Sequence, residues 1–137
     1  MEKIQEYRFT ATNPVIESMH READKVQDFM NQASNLQDPA SLTYRLADMD
    51  VYFARLTDMY IQAKAMKENA QNSFLIENED RLNKMTATAS TRLINAHLSE
   101  YKSLYDRLDS MCHLCEHLSR TLVTQISYIK QQMNTHV

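Results

Sequence analysis

The residues best suited to chemistry are two thiols and two imidazoles within six positions: Cys112, His113, Cys115 and His117. Thiolate and imidazole both bind zinc, and a CxxC pair is typical of structural zinc sites. Such a site normally needs four ligands, and its CxxC lies in a turn that lets both thiolates converge. Here residues 104–122 have the spacing of a continuous helix. We therefore predict that Cys115 is buried, that the histidines face solvent and that no metal is bound; Cys112 and Cys115 are the candidates if one is.

The composition excludes most catalytic motifs. The chain has 137 residues and no glycine. The P-loop, the dinucleotide fingerprint and the nucleophile elbow each need glycine at fixed positions. No spacing holds a base beside a nucleophile, and a chain without glycine has few ways to build a concave site. We predict that the protein is not an enzyme and that it uses no cofactor and no small-molecule substrate.

Basic residues gather around a polar stretch after the middle of the chain. They are Lys64, Lys67, Arg81, Lys84 and Arg92. Lys67 interrupts an otherwise apolar heptad pattern, and such a residue often sets the register or oligomer state of a coiled coil. Two interpretations are open. Either the cluster is a solvated end with Lys67 fixing the register, or several subunits present these cations, with Tyr60 and Phe74 nearby, to the phosphates and bases of a single strand.

The overall charge and the chain start limit the partners and the compartment. The net charge is −3, from 15 basic and 18 acidic residues, so any contact with nucleic acid must be local. Two cysteines in a helical stretch suit a reducing compartment. No apolar run approaches the ~18 residues of a membrane span, and residues 1–12 lack the apolar stretch of a signal peptide. We expect a cytoplasmic protein without membrane contact.

Two prolines mark the predicted starts of helices. Asn13 and Asp38 are good N-cap residues, and each precedes a proline at the first helical position. Apolar residues then recur at steps of three and four, which predicts helix 1 over 14–33 and helix 2 over 39–76. In helix 2 the pattern continues for nearly five heptads, as in a coiled-coil seam.

The rest of the chain predicts a second long helix that packs against helix 2. Residues 77–86 lose the apolar period and are predicted to form a turn, and helix 3 is predicted over 87–133. Two overlapping apolar stripes make the face of helix 3 too wide for one neighbour, so we expect self-association. The predicted packing seam contains Leu46, Phe53, Leu56, Tyr60, Leu104, Leu108, Leu118 and Leu122. With residues 1–12 as an extended arm, residues 1–137 form one all-α domain: a short N-terminal helix and a long antiparallel helical hairpin with coiled-coil-like packing, assembled as a homo-oligomer.

The layout of residues 42–133 resembles a known family. The features that carry the resemblance are the stretch from Leu56 to Phe74, a polar turn, the segment Leu82-Asn-Lys-Met-Thr-Ala-Thr-Ala-Ser-Thr, then Tyr101, Leu104, Tyr105, Leu108 and Ser127-Tyr-Ile-Lys. Together they resemble the small all-helical recombination mediators of tailed phages, which load a recombinase onto single-stranded DNA. The resemblance implies a ring-like oligomer that binds single-stranded DNA through basic residues. It also implies contacts with a recombinase and a single-strand binding protein, in the cytoplasm of a bacterial host.

Three functional hypotheses follow. The first is a non-enzymatic phage or mobile-element accessory protein that binds single-stranded DNA as a recombination mediator. The second is a structural or adaptor protein that acts only through protein–protein contacts along its helices. The third is an inhibitor that docks onto a nucleic-acid enzyme, with Glu77, Glu79 and Asp80, or the acidic first helix, imitating phosphate.

Overall fold

The computed structural model describes residues 13–32 and 38–135, and within these ranges the chain forms helices and no strand. The helices are α1 (Pro14–Asn31), α2 (Pro39–Glu77), α3 (Glu79–Asn83) and α4 (Ala87–Thr135). The predicted all-α class is confirmed, and α2 and α4 pack against each other as a long helical hairpin. The extended arm predicted for residues 1–12 lies outside the described residues.

Capping side chains fix where α1 and α2 begin. The Asn13 side chain accepts a hydrogen bond from the backbone N–H of Val15 at 2.9 Å. The Asp38 carboxylate accepts one from the backbone N–H of Ser41 at 3.3 Å and one from the Ser41 hydroxyl at 3.1 Å. In each case the proline that follows lacks an N–H and therefore loses nothing at the first helical position. The observed limits of α1, α2 and α4 lie within two residues of the predicted ones, a difference usual for helix ends.

The hairpin turn contains a short helix that the sequence pattern does not predict. α3 lies inside the predicted turn, residues 77–86, and its first turn carries Glu79 and Asp80, whose charges favour a helix N-terminus. Before it, Asn78 has φ −118°, and its side chain and backbone N–H both donate to the carbonyl of Phe74, at 2.9 and 3.0 Å. No residue in the described ranges has a positive φ. The turn therefore reverses the chain without a conformation that favours glycine.

α1 lies along the hairpin, antiparallel to α2. Its Glu22 carboxylate is 3.7 Å from the Arg55 guanidinium, and further along α1 the carbonyl of Phe29 accepts a hydrogen bond from Arg45 at 3.3 Å. As the residue number rises in α1 it falls in α2, which defines the direction. α1 also packs on α4, so the two long helices share a third partner.

The core is a single apolar cluster between the three longer helices. Of the predicted seam residues, Leu56, Leu104, Leu108 and Leu122 are buried, whereas Leu46, Phe53, Tyr60 and Leu118 are half-buried. The sequence pattern misses Met59, which is buried although it lies outside the heptads of α2. α1 accounts for the burial of Met59 and for part of the breadth of the apolar face of α4, because it gives each long helix a second neighbour within the chain.

Several large apolar side chains stay exposed. They are Val15, Tyr44, Val51, Ile61, Ile76, Leu114, Val123, Tyr128 and Met133. Met133 continues a stripe of α4 but is exposed: Cys115 lies beside Met49, which places the start of α2 opposite about residue 125, so Met133 lies beyond the overlap of the two helix axes. Among the described helices, none is both long and apolar enough to cross a membrane.

We expect Leu108→Ala to lower the free energy of unfolding by about 2–5 kcal/mol, because the side chain is fully buried and its truncation leaves a cavity. Leu114→Ala, at a 40% exposed position of the same helix, is the matched control and should cost no more than about 0.5 kcal/mol. Denaturant unfolding followed by circular dichroism measures both. Equal losses in the two variants would contradict the described core.

Candidate functional site

Two tyrosines from opposite arms of the hairpin form the centre of the candidate site. The hydroxyls of Tyr60 in α2 and Tyr105 in α4 are 2.9 Å apart and share a hydrogen bond. Their rings are stacked, with centroids 5.1 Å apart and an interplanar angle of 27°. The seam positions both residues, since Tyr60 lies in the α2 heptads and Tyr105 on the broad face of α4. A pair separated by 45 positions is thereby held in one orientation.

Lys67 joins this pair. Its ammonium lies 4.9 Å from the centroid of the Tyr105 ring, within the range of a cation–π interaction. The side chain is half-buried: its aliphatic stem covers apolar surface while the charge meets the electron-rich ring face. We call Tyr60, Tyr105 and Lys67 the aromatic–cation cluster. Lys67, although it occupies a heptad position, is thus stabilised by an aromatic ring and needs no buried carboxylate as its partner.

The other predicted cations lie outside this cluster. Lys64 is exposed one turn before Lys67, and Arg81, Lys84 and Arg92 are exposed at and after the hairpin turn. Within residues 13–32 and 38–135, none of the five cations proposed for nucleic-acid binding forms an ion pair with a carboxylate. Their charges are therefore available to an anionic ligand without the loss of an internal pair.

The acidic residues of the hairpin turn are exposed as well. Glu77, Glu79 and Asp80 stand at the end of α2 and in the first turn of α3. In the chain they directly precede the turn cations Arg81 and Lys84. The end of the hairpin therefore presents both acidic and basic side chains. A polyanion that binds there must contact the basic side chains and avoid the acidic ones.

The cysteine–histidine segment is helical throughout. Cys115 is fully buried, and its thiol donates to the carbonyl of Met49 at 3.7 Å, while Cys112 is half-buried and also free. His113 is exposed with Nε2 3.5 Å from the Asp109 carboxylate, and His117 is exposed too. Over the described ranges, no three His, Cys, Asp or Glu side chains converge as a metal site would require.

The contacts that hold α1 in place were missed by the sequence patterns. The Arg107 guanidinium donates to Nδ1 of His20 at 2.9 Å and to the Asp24 carboxylate at 2.6 Å. Burial, and next the nearby Arg107 charge, lower the pKa of His20, which fits a neutral ring that accepts through Nδ1. Arg45 likewise donates to the carbonyl of Gln32 at 2.9 Å, beyond the end of α1. The partners in these contacts are 13 to 87 positions apart in the sequence, so no periodic pattern of residues indicates them.

A groove runs between α2 and α4 towards the end of the hairpin that is distant from the turn. The residues that line it include Leu46, Asp50, Phe53, Glu116, Arg120 and Val123. Glu116 and Arg120 form an ion pair one helical turn apart on its rim. We call this feature the hairpin groove; its floor is apolar and its rim carries both signs of charge.

Comparison of the chain with protein-family models, with curated protein sequences and with solved structures finds no match.

The hydrogen bond that the Tyr60 hydroxyl shares with Tyr105, followed by burial, raises the pKa of Tyr60 to about 12. Because this value exceeds the ordinary value near 10 of an unfolded chain, the interaction stabilises the fold fully below pH ~10, and the stabilisation is lost as the pH rises towards 12. Absorbance titration at alkaline pH should show one tyrosine that ionises only near pH 12. This late ionisation should be absent from the Tyr60→Phe variant. Tyr105→Phe should shift it towards 10. Tyr44→Phe, at an exposed position, should leave it unchanged; a late tyrosine that survives Tyr60→Phe would contradict the assignment.

The two thiols should differ in reactivity. Burial raises the pKa of Cys115 to about 11, so little thiolate forms at pH 8 and little reagent reaches it. In Cys112→Ser, we expect the remaining thiol to react with an alkylating agent only after denaturation. Metal analysis of the wild type, purified without chelator, should find no stoichiometric zinc. Rapid labelling of the native variant, or one zinc per chain in the wild type, would contradict these expectations.

Proposed function

We propose that the protein is a non-enzymatic accessory protein that binds single-stranded DNA, of the kind that phage recombination mediators represent. In this proposal it is a homo-oligomer in the cytoplasm of a bacterial host. It delivers the strand to a recombinase and contacts a single-strand binding protein. The aromatic–cation cluster is the observation that carries the proposal, since Lys67 is held on the Tyr105 ring and pairs with no carboxylate of the part of the chain that the structure describes.

Cations that form no ion pair with a carboxylate among the described residues support the same proposal. Phosphate contacts dominate the affinity for nucleic acid, and each one releases counterions from the strand. Lys64 and Lys67 lie on α2, and α2 continues for about 15–20 Å from them to the turn. Arg81, Lys84 and Arg92 continue the charge around the turn. Since the chain as a whole is acidic, binding depends on this local band.

A second candidate function rests on the hairpin groove. An adaptor that acts only through protein contacts needs an apolar surface with a polar rim, and the groove has Phe53 and Val123 on its floor and Glu116 and Arg120 on its rim. The adaptor hypothesis requires no affinity for DNA. The two functions therefore differ in one measurable property, the affinity for single-stranded DNA.

The test is a titration of fluorescently labelled single-stranded DNA at several salt concentrations. We expect the affinity of the wild type to fall steeply with salt, and Lys64→Ala/Lys67→Ala/Lys84→Ala to bind more weakly. If the three lysines each contact a phosphate, the slope of log K against log salt becomes shallower by about 2, since each contact contributes about 0.7. Light scattering on the same samples reports the oligomer mass.

The matched control is Arg21→Ala/Lys25→Ala/Lys130→Ala, which removes the same charge from exposed positions elsewhere on the molecule. This control should keep the wild-type slope, because a loss caused by net charge alone would affect both triple variants equally. A wild type that binds no DNA even at low salt would remove the mediator hypothesis and leave the adaptor.

A further inference from the structure

The hairpin groove lies on the side of the hairpin that α1 does not cover. On α4, Glu116 follows Arg107 by nine residues, which is two and a half helical turns, so the two side chains project from opposite sides of the helix. Arg107 is bound to His20 and Asp24 of α1. Asp50 of α2 similarly precedes Arg55, the partner of Glu22 in α1, by five residues, or about 140°. α1 closes one side of the hairpin, and the groove occupies the other.

We infer that the hairpin groove is the interface between two copies of this chain, related by a two-fold axis that passes near Ser119. The inference rests on the proposed self-association and names the surface that carries it. In a two-fold interface the same patch meets itself, so the patch must be complementary to its own rotated image. Few surfaces meet this requirement, because like charges come together unless acids and bases are placed on both sides of the axis.

The rim of the groove meets the requirement. Glu116 and Arg120 are one turn apart on α4, on either side of Ser119, and Asp50 lies across the groove from them. When a second copy packs antiparallel about the axis, its Arg120 faces Glu116 and Asp50 of the first copy, and the reverse contact forms at the same time. Each copy then contributes two acids and one base to one compact charge network.

The floor of the groove supplies the apolar area. Leu46 and Phe53 are only half-buried within one chain, and Val123 is 50% exposed. Around the axis these side chains meet their equivalents from the second copy, which gives an apolar centre inside a charged rim, the usual arrangement of a protein interface.

The geometry has a consequence for the DNA-binding cations. From the axis near Ser119 to the start of α4 is 32 residues, or about 48 Å, so the two hairpin turns lie about 95 Å apart at opposite ends of the pair. Each end carries its own Arg81, Lys84 and Arg92. Two copies therefore hold two separated segments of a strand rather than one continuous segment.

The test is a charge exchange followed by the concentration dependence of the mass in light scattering. We expect Arg120→Glu and Glu116→Arg each to weaken pairing at least tenfold, since each single change brings like charges together across the axis. The full exchange Asp50→Arg/Glu116→Arg/Arg120→Glu restores opposite charges at every one of these contacts and should recover most of the wild-type affinity. Val123→Asp should also weaken pairing at least tenfold, whereas Leu114→Asp, at an exposed position of α4 outside the groove, should not.

Cross-linking locates the axis independently. In a Cys112→Ser background, Ser119→Cys should form a disulfide-linked dimer under mild oxidation, and Thr121→Cys, exposed elsewhere on α4, should not. A wild type that remains a monomer at every concentration overturns the inference. Pairing that is insensitive to the charge reversals and to Val123→Asp also overturns it, while leaving self-association through another surface. The DNA titration of the wild type decides the proposed function separately.

Discussion

The pairing of α2 with α4 is the contact on which the other features depend. The seam between them contributes buried residues of both helices to the apolar core, and it brings together residues that are distant in sequence, such as Met49 with Cys115. α1 has 18 residues, and like most helices in proteins it is stabilised mainly by packing its apolar face, here on the surface that the pair provides. The same pairing creates the hairpin groove on the uncovered side.

Lys67 illustrates how the seam accommodates charge. Burial of an unpaired ammonium is costly, and a carboxylate partner would itself have to be desolvated. The Tyr105 ring avoids that second cost, because its face attracts the cation without carrying a net charge. The register of the two helices and the position of the charge are thereby linked: a shift of α4 by one turn would remove the ring from Lys67 and the Tyr105 hydroxyl from Tyr60.

The sequence predicts the helices and misses most of the contacts between them, for a physical reason. Apolar residues at steps of three and four determine which face of each helix is buried, and proline with a preceding cap determines where α1 and α2 begin. Contacts such as Arg107 with Asp24, or Tyr60 with Tyr105, depend on the register and rotation of helices relative to each other. A single sequence does not encode that geometry in any periodic pattern, so Lys67 was predicted as a seam lysine but not as a partner of Tyr105.

The turn that avoids positive φ has a consequence for how this protein can change over time. Throughout the described ranges every residue has a negative φ, so at the hairpin turn no position is reserved for glycine or another residue that tolerates the left-handed conformation. The substitutions that the turn accepts are limited by its hydrogen bonds, such as that of Asn78 with Phe74 and that of Ser90 with Leu82, rather than by backbone conformation. Lineages of this chain can therefore diverge widely in sequence at the turn while the hairpin keeps its shape.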